Sequence, residues 1–390
     1  MRKAFLGYYQ PDEEEFSKMW ENCLFVLDAN VLLNLYRYSP ETREVLIDIL
    51  SKISGRLWIP HQVALEYQDN RLTTIAGQVK LYDDISKILR RARQELEDLL
   101  SGEHPSIDVE TLLEKINEAF SAIEEELERH RAQHPDLFAD DDIRDRVTSL
   151  FEGKVGQPFS QERLAEIYKM GEERYANQVP PGYKDKEKRG ELKRYGNLIL
   201  KSMYGDLILW FEIIDKAKEA KTPIIFVTDD TKEDWWWIFK GKTIGPRPEL
   251  VTEMEIEASV PFYIYTPKRF MLFAADHLGI EVAEEVAEEV QDVTEEGRSW
   301  KDEIVNTLEA LEGEAHLSEI YEYIESTTSR KLARTWKATI RYTLQIHSSD
   351  TESFRGGEDL FRRIGRGYWG LRSNDVGNGG NLEGQKPAAA

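Results

Sequence analysis

The sequence predicts an α/β protein of two domains: a parallel-sheet body carrying a long helical insertion, then a small module of helices closed by a β-hairpin. Three observations carry this reading. The continuous apolar run Leu24–Leu27 stops at Asp28 and gives way to helical spacing, as expected where a strand buried on both faces of a parallel sheet passes into a helix. A second apolar run, PIIFVT, stops in the same way at Asp229 and Asp230. Over residues 298–372 the pattern changes to helix, short extended stretch, helix, helix and hairpin, the order of a winged helix-turn-helix domain.

A chain of 390 residues is long enough for two cores and an insertion. Its formal net charge of −22 argues against a surface that coats nucleic acid indiscriminately, because phosphate binding is driven by Lys and Arg releasing counterions. Any nucleic-acid contact is therefore expected to be local. No apolar run reaches bilayer-spanning length, and MRKAFLGYYQPDEEEF turns acidic where a signal peptide needs apolar residues, so a cytoplasmic protein without a membrane partner is expected. Cys23 is the single cysteine, which excludes a disulfide framework or a cysteine-based zinc site within one chain; it reads as a small buried residue before a strand.

After the first strand, PETREVLIDILSKI predicts a helix with Pro40 in its first turn, RLWIP a second strand, and HQVALEYQDNRL a helix opened by Pro60 that bears Glu66 early. Residues from about 76 to 178 are dense in Glu, Lys, Arg, Leu and Ile at helical spacing, which predicts a helical insertion built as an antiparallel pair. It is read either as a structural arm or homodimer surface, or as an arch that gates substrate. NQVPPGYKDKEKRG reads as a loop. NLILKSMYGDLILWFEIIDKAKEA predicts one helix with Leu207, Trp210, Phe211 and Ile214 on its apolar side and Asp206 in its middle. PFYIYTP, a strand, and KRFMLFAADHLG, a helix, close a first domain over residues 1–280. The acidic stretch 281–297, with Val282, Val286 and Val290 four residues apart, reads as a helical or frayed linker. The tail 373–390 cannot bury a core and is expected to be disordered.

The chemistry is expected at Asp28, Glu66, Asp206 and Asp230, with Asp229 beside the last. Each lies at a strand end or on a helix bordering the edge where parallel strands finish, so the four can converge. Singly, an Asp at a strand end is more often a helix cap; together, and in this order, the acids point to a site. Clustered carboxylates repel one another and call for a cation, and hard oxygen donors with open positions suit Mg²⁺ or Mn²⁺. One or two such ions, about 3.5–4 Å apart if both bind, would activate water and stabilise a leaving oxygen. Asn30, Lys184, Asp185 and Lys232 read as assistants that orient a ligand or pair a phosphate oxygen, although the PPGYKDKEK loop reads equally as a solvated turn. Trp235, Trp236 and Trp237 offer a base-stacking face, but at least two of them are assigned to the core. His61 lacks a partner at zinc-ligand spacing and reads as structural.

FVLDANVLLNLY with Asp28 and Asn30, PHQVALEY with Glu66, YGDLILW with Asp206 and IIFVTDDTKEDWW with Asp230 resemble the motifs of the PIN-like nuclease superfamily. More narrowly they resemble bacterial PIN-like proteins whose VTDD-type motif runs into Lys-Glu-Asp-Trp. The resemblance covers roughly residues 1–275. It implies a Rossmann-like three-layer fold and metal-dependent phosphodiester hydrolysis, with Asp230 rather than Asp229 as the acid of the last motif. The long insertion and the stretch KRGELKRYGNLILKSM depart from a minimal PIN domain and leave open whether the substrate is RNA or DNA.

In the C-terminal module RTWKATIRYTLQIHS puts Arg334, Lys337 and Arg341 near one face and Trp336, Ile340 and Leu344 on another. Arg355, Arg362, Arg363 and Arg366 add to the basic character, so DNA is the expected partner of a recognition helix and wing. HLSEIYEYI and FRGGEDLFRRIGRGYWGL resemble winged-helix modules attached to bacterial restriction and defence enzymes, which implies a nuclease acting as a defence effector. A protein-binding winged helix, a non-catalytic DNA-binding regulator on a PIN-like scaffold, and a phosphatase on the same carboxylates remain alternatives.

Overall fold

A computed structural model describes residues 1–101, 108–133, 135–240, 242–296, 300–328, 332, 335–354, 356 and 358–372. The tail expected to be disordered, and Arg334 and Arg355, lie outside the described residues. The chain divides into two compact units, the larger formed by Met1–Phe239 and Thr243–Thr294 and the smaller containing the residues from Glu295 onward.

In the larger unit, α1 (Glu13–Asn22) is started by a capping box in which Asp12 and Glu15 exchange backbone-to-carboxylate bonds. The apolar run forms β1 (Leu24–Leu27), and Asp28 caps the short α2 (Ala29–Leu33) that follows. Ser39 caps α3 (Pro40–Lys52), with Pro40 in its first turn, and the chain returns as β2 (Leu57–Trp58).

The next helix, α4 (His61–Leu100), runs 40 residues without a break, so the insertion has no boundary near residue 76: Glu66 and the outer arm share one helix. α5 (Val109–Gln133) packs back antiparallel, because Arg93 reaches Asn117 and Ser121 while Arg131 reaches Asp83. At the arm's base, the Tyr36 hydroxyl lies 2.9 Å from that of Tyr67 and donates to the Asp141 carboxylate, which also pairs with Arg71. α6 (Asp142–Phe151) and α7 (Gln161–Ala176) complete the insertion.

Here the structure corrects one expectation. The single helix expected from Asn197 is instead an antiparallel hairpin, β3 (Leu192–Tyr195) and β4 (Leu198–Lys201), followed by α8 (Gly205–Ala220). Gly196 takes a positive φ of +56° at the hairpin turn, and Leu200 buries itself among Leu164, Tyr168 and Tyr204. An apolar LIL run fits a strand as well as a helix, and the turn decides it. Asp206 consequently sits in the first turn of α8 rather than in the middle of a longer helix.

The chain continues as β5 (Ile224–Val227), the paired β6 (Trp236–Phe239) and β7 (Lys242–Pro246), α9 (Pro248–Ala258), β8 (Phe262–Tyr265) and α10 (Pro267–Leu278). The main sheet has the order β2-β1-β5-β8 and is parallel throughout. β5 and β8 are buried along their whole length, as the unbroken apolar runs require. The stretch read as an acidic linker forms α11 (Glu284–Glu296), whose Val286, Val290 and Val293 are buried in the same core and whose Glu289 accepts from the Ser39 hydroxyl at 2.7 Å.

The smaller unit contains α12 (Trp300–Ala310), β9 (Glu314–His316), α13 (Leu317–Thr327), α14 (Trp336–Ile346), β10 (Phe361–Gly365) and β11 (Tyr368–Leu371). Its sheet is antiparallel in the order β10-β11-β9. Ile304, Ile320, Ile340, Leu344 and Phe361 form its core. Among the described residues, no helix is long and apolar enough to cross a membrane.

Candidate active site

β1 and β5 are paired in register, Leu27 opposite Val227, so the chain leaves both strands at one edge of the sheet. There the Asp28 N–H donates to the Val227 carbonyl at 2.9 Å. The next residue on β5's side, Thr228, is fully buried. Its hydroxyl donates to Asp28 Oδ2 at 2.6 Å and accepts the Asp230 N–H at 3.0 Å, so one side chain orients two acid-bearing positions. The other Asp28 oxygen accepts the Ala29 N–H at 2.7 Å, and Asp230 Oδ1 accepts the Lys232 N–H at 2.7 Å.

Glu66 reaches this edge from α4. The buried Gln62 amide donates to Glu66 Oε1 at 2.6 Å, and the Gln62 backbone N–H donates at 3.1 Å to the buried Glu212 carboxylate of α8. Gln62 Oε1 itself is buried without a hydrogen-bond partner among the described residues. α8 begins against Glu66: a Cβ on Gly205 would lie 2.9 Å from Glu66 Oε1, which excludes any larger residue without rearrangement. One residue on, Asp206 Oδ2 receives the Trp235 indole N–H at 3.4 Å.

These acids share one electrostatic field. Burial pushes Asp28 up to about 7; the Thr228 bond opposes this, and the charges of Glu66, Asp229 and Asp230 add to it. Burial also raises Glu66, and raises Asp206 well above the usual carboxylate range, where Asp185, Asp230 and Asp234 add to the effect. Lys232 answers part of this charge, its ammonium lying 2.7 Å from Asp185 Oδ1 and 3.4 Å from Asp230 Oδ2. Burial works against its charged form, but Asp230, Asp206 and Asp185 outweigh burial and raise its pKa. Lys188 takes the second Asp185 oxygen at 2.6 Å.

The other expected residues separate from this group to different degrees. Asp229 accepts from Asn34 Nδ2 at 2.9 Å and also bonds Asn30, so it faces the start of α2 and the turn after it. Lys184 is held by its backbone N–H, 3.1 Å from Asp234 Oδ2, while its ammonium lies 3.3 Å from Glu233. Trp235 and Trp236 are buried, leaving Trp237, half-buried and edge-on to Tyr8 at 5.5 Å, as the most open of the three rings. His61 meets the Tyr195 ring edge-on.

Thr228, Gln62, Glu212, Asp234 and Lys188 were not singled out by sequence reasoning. Gln62 stands four residues before Glu66 on one helix face, and Lys188 three after Asp185, spacings that signal side-chain contact. Glu212 and Asp234 carry no such local signal, because their partners lie 150 and 52 residues away.

As the side chains stand, no three acids among the described residues already surround one point. The donor set nevertheless suits a hard divalent cation: half-buried carboxylates whose mutual repulsion such an ion would relieve.

In the smaller unit Lys337, Arg341, Arg362, Arg363 and Arg366 are exposed. The Lys337 ammonium lies over the rings of Tyr321 and Trp336, Arg341 donates to the Tyr321 hydroxyl at 3.3 Å, and Arg362 pairs with Glu314 at 3.4 Å.

Compared with known families, residues 24–250 match the family model described as a PIN like domain. The match begins at β1, ends in α9, and spans all four acids. No curated protein and no solved structure matches the chain.

Proposed function

The chain belongs to the PIN-like domain family, and on that premise we propose that it is a metal-dependent nuclease that hydrolyses phosphodiester bonds of RNA or DNA. The observation that carries this reading is the pairing of Asp28 and Asp230 through Thr228 at the sheet edge, within the same field as Glu66 and Asp206. Asp28, Glu66, Asp206 and Asp230 would hold Mg²⁺ or Mn²⁺, with Asp229 the alternative to Asp230. When bound, the ion supplies positive charge at the phosphate and a lowered pKa for attacking water. Thr228 and Gln62 fix two of the carboxylates, and the ammonium of Lys232 pairs a phosphate oxygen while Asp185 holds that lysine in place. Asn30 and Lys184 are assigned lesser orienting roles.

The helices and three-stranded antiparallel sheet after Glu295 support reading that unit as a winged helix. Lys337, Arg341, Arg362, Arg363 and Arg366, with Arg334, would contact DNA, and the resemblance of this unit to modules of restriction and defence enzymes favours a defence effector acting in the cytoplasm. The test is incubation of the purified chain with single- and double-stranded RNA and DNA in Mg²⁺, Mn²⁺ or chelator. Cleavage in the metals alone is expected; no cleavage of any substrate would favour the non-catalytic regulator instead.

A further inference from the structure

Residues 184–201 contain seven Lys or Arg against three Asp or Glu, within a chain whose formal net charge is −22. The segment is pinned to the acid site at its inner end. Asp234 accepts the backbone N–H groups of Gly182 and Lys184, both at 3.1 Å, Lys188 sits on Asp185, and Lys193 lies 3.4 Å from Asp69 and close enough to Glu66 to stabilise its charge. Farther out, Lys186, Arg189 and Arg194 are exposed and make no ion pair among the described residues.

The register of the β3–β4 hairpin decides what its outer face presents. Leu192 opposes Lys201 and Arg194 opposes Ile199, and residues paired across antiparallel strands or two apart along one strand share a face. All four are exposed, so cations alternate with apolar surface on this face, while Tyr195 falls on the opposite face, edge-on to His61. Such a surface suits a single strand, whose phosphates pair with cations and whose unstacked bases lie on apolar groups; a duplex offers mainly its phosphates.

Resting on the nuclease reading, we propose that this segment is the track that receives the backbone of a single-stranded nucleic acid and leads it to the carboxylates. The outer cations hold phosphates, and Leu192 with Ile199 supports bases.

The test is binding of a short single-stranded oligonucleotide and of its duplex by the full chain in chelator, across a series of salt concentrations. The variant Lys186→Gln/Arg189→Gln/Arg194→Gln is compared with Lys18→Gln/Lys52→Gln/Lys218→Gln, which changes the charge equally elsewhere, and with Leu192→Ala/Ile199→Ala. Melting temperatures establish that each variant folds. Expected are a loss of about ten-fold in single-strand affinity for the first variant, with a salt slope shallower by about 2 for three lost contacts, and no comparable change in the control. Leu192→Ala/Ile199→Ala is expected to weaken the single strand and spare the duplex. Equal losses in the two charge variants, or unchanged single-strand binding in the first, would overturn the track. Because binding is read without metal, a chain that binds through this segment yet cleaves nothing would count against the nuclease reading alone; one that cleaves but ignores these substitutions would count against the track alone.

Discussion

Thr228 and Asp28 come from neighbouring strands, and the threonine hydroxyl donates to Asp28 Oδ2 at 2.6 Å. The Thr228 hydroxyl oxygen also accepts the Asp230 N–H at 3.0 Å, so the position of both acids depends on one buried group. Thr228→Val keeps the shape and removes this bond. Expected is a folded protein whose cleavage falls about 10–100-fold, as is typical when a partner behind a metal ligand is lost, with Thr228→Ser recovering most of it. Wild-type rates in the valine variant would show that the hydroxyl orients nothing of consequence.

A pH dependence follows from the half-buried Asp28 and the buried Glu212. Asp28 is raised from 3.8 to about 7 and Glu212 from 4.5 to about 8, both chiefly by burial. A raised carboxyl favours the fold in its neutral form, so its contribution is complete below the ordinary pKa and is lost as pH rises through the folded value. In chelator, these two groups are expected to lower the melting temperature as pH rises from about 4, the loss being complete by about 7 for Asp28 and about 8 for Glu212, so Glu212→Gln should flatten the upper part of that fall. Mn²⁺ should raise the melting temperature more above pH 7 than below it, since binding needs the ionised Asp28. A melting temperature that climbs with pH in chelator would refute this.

The α4–α5 arm exposes Leu81, Ile88 and Leu99 on one helix and Leu112 and Ile123 on the other, an apolar surface suited to a second copy of the chain. Replacing residues 80–131 with a short linker leaves the Tyr36, Tyr67, Arg71 and Asp141 contacts at the base intact. Light scattering is expected to show half the mass of the full chain, with metal-dependent cleavage retained. An unchanged mass would remove the arm from any role in dimerisation.

For the smaller unit, changing Lys337, Arg341, Arg363 and Arg366 together to Ala should weaken duplex DNA binding and make its salt slope shallower by about 3 to 4, if each meets one phosphate. Turnover at saturating substrate should persist, because only binding common to ground and transition states is lost. Identical affinity and slope in a titration across salt would mean that this face does not bind DNA.

The sheet and its edge were legible because the apolar runs of β1 and β5 end abruptly at Asp28 and before Asp229, and parallel strands share an edge. The start of α8 was not: LILK carries no periodicity that separates strand from helix, and only Gly196 marks the turn. The bonding of Glu212 to Gln62 was out of reach for another reason, since it joins α4 to α8 and leaves no short-range pattern. The docking of α11 was half legible, its valine spacing being visible but not the core that receives it.

The most direct test of the metal-dependent carboxylate site is the cleavage rate of labelled RNA and DNA as Mn²⁺ is titrated into the wild-type chain and into Asp28→Asn, Asp206→Asn, Asp230→Asn and Glu66→Gln. Each Asp variant removes charge from a self-repelling group, so it should fold, melt no lower than wild type in chelator, and lose cleavage by at least about 10²-fold, while Glu66→Gln keeps a remnant if water replaces the ligand. Saturable Mn²⁺ activation of the wild type with none in the three Asp variants is the expected result; cleavage that persists in chelator, or full activity in all three, would contradict it.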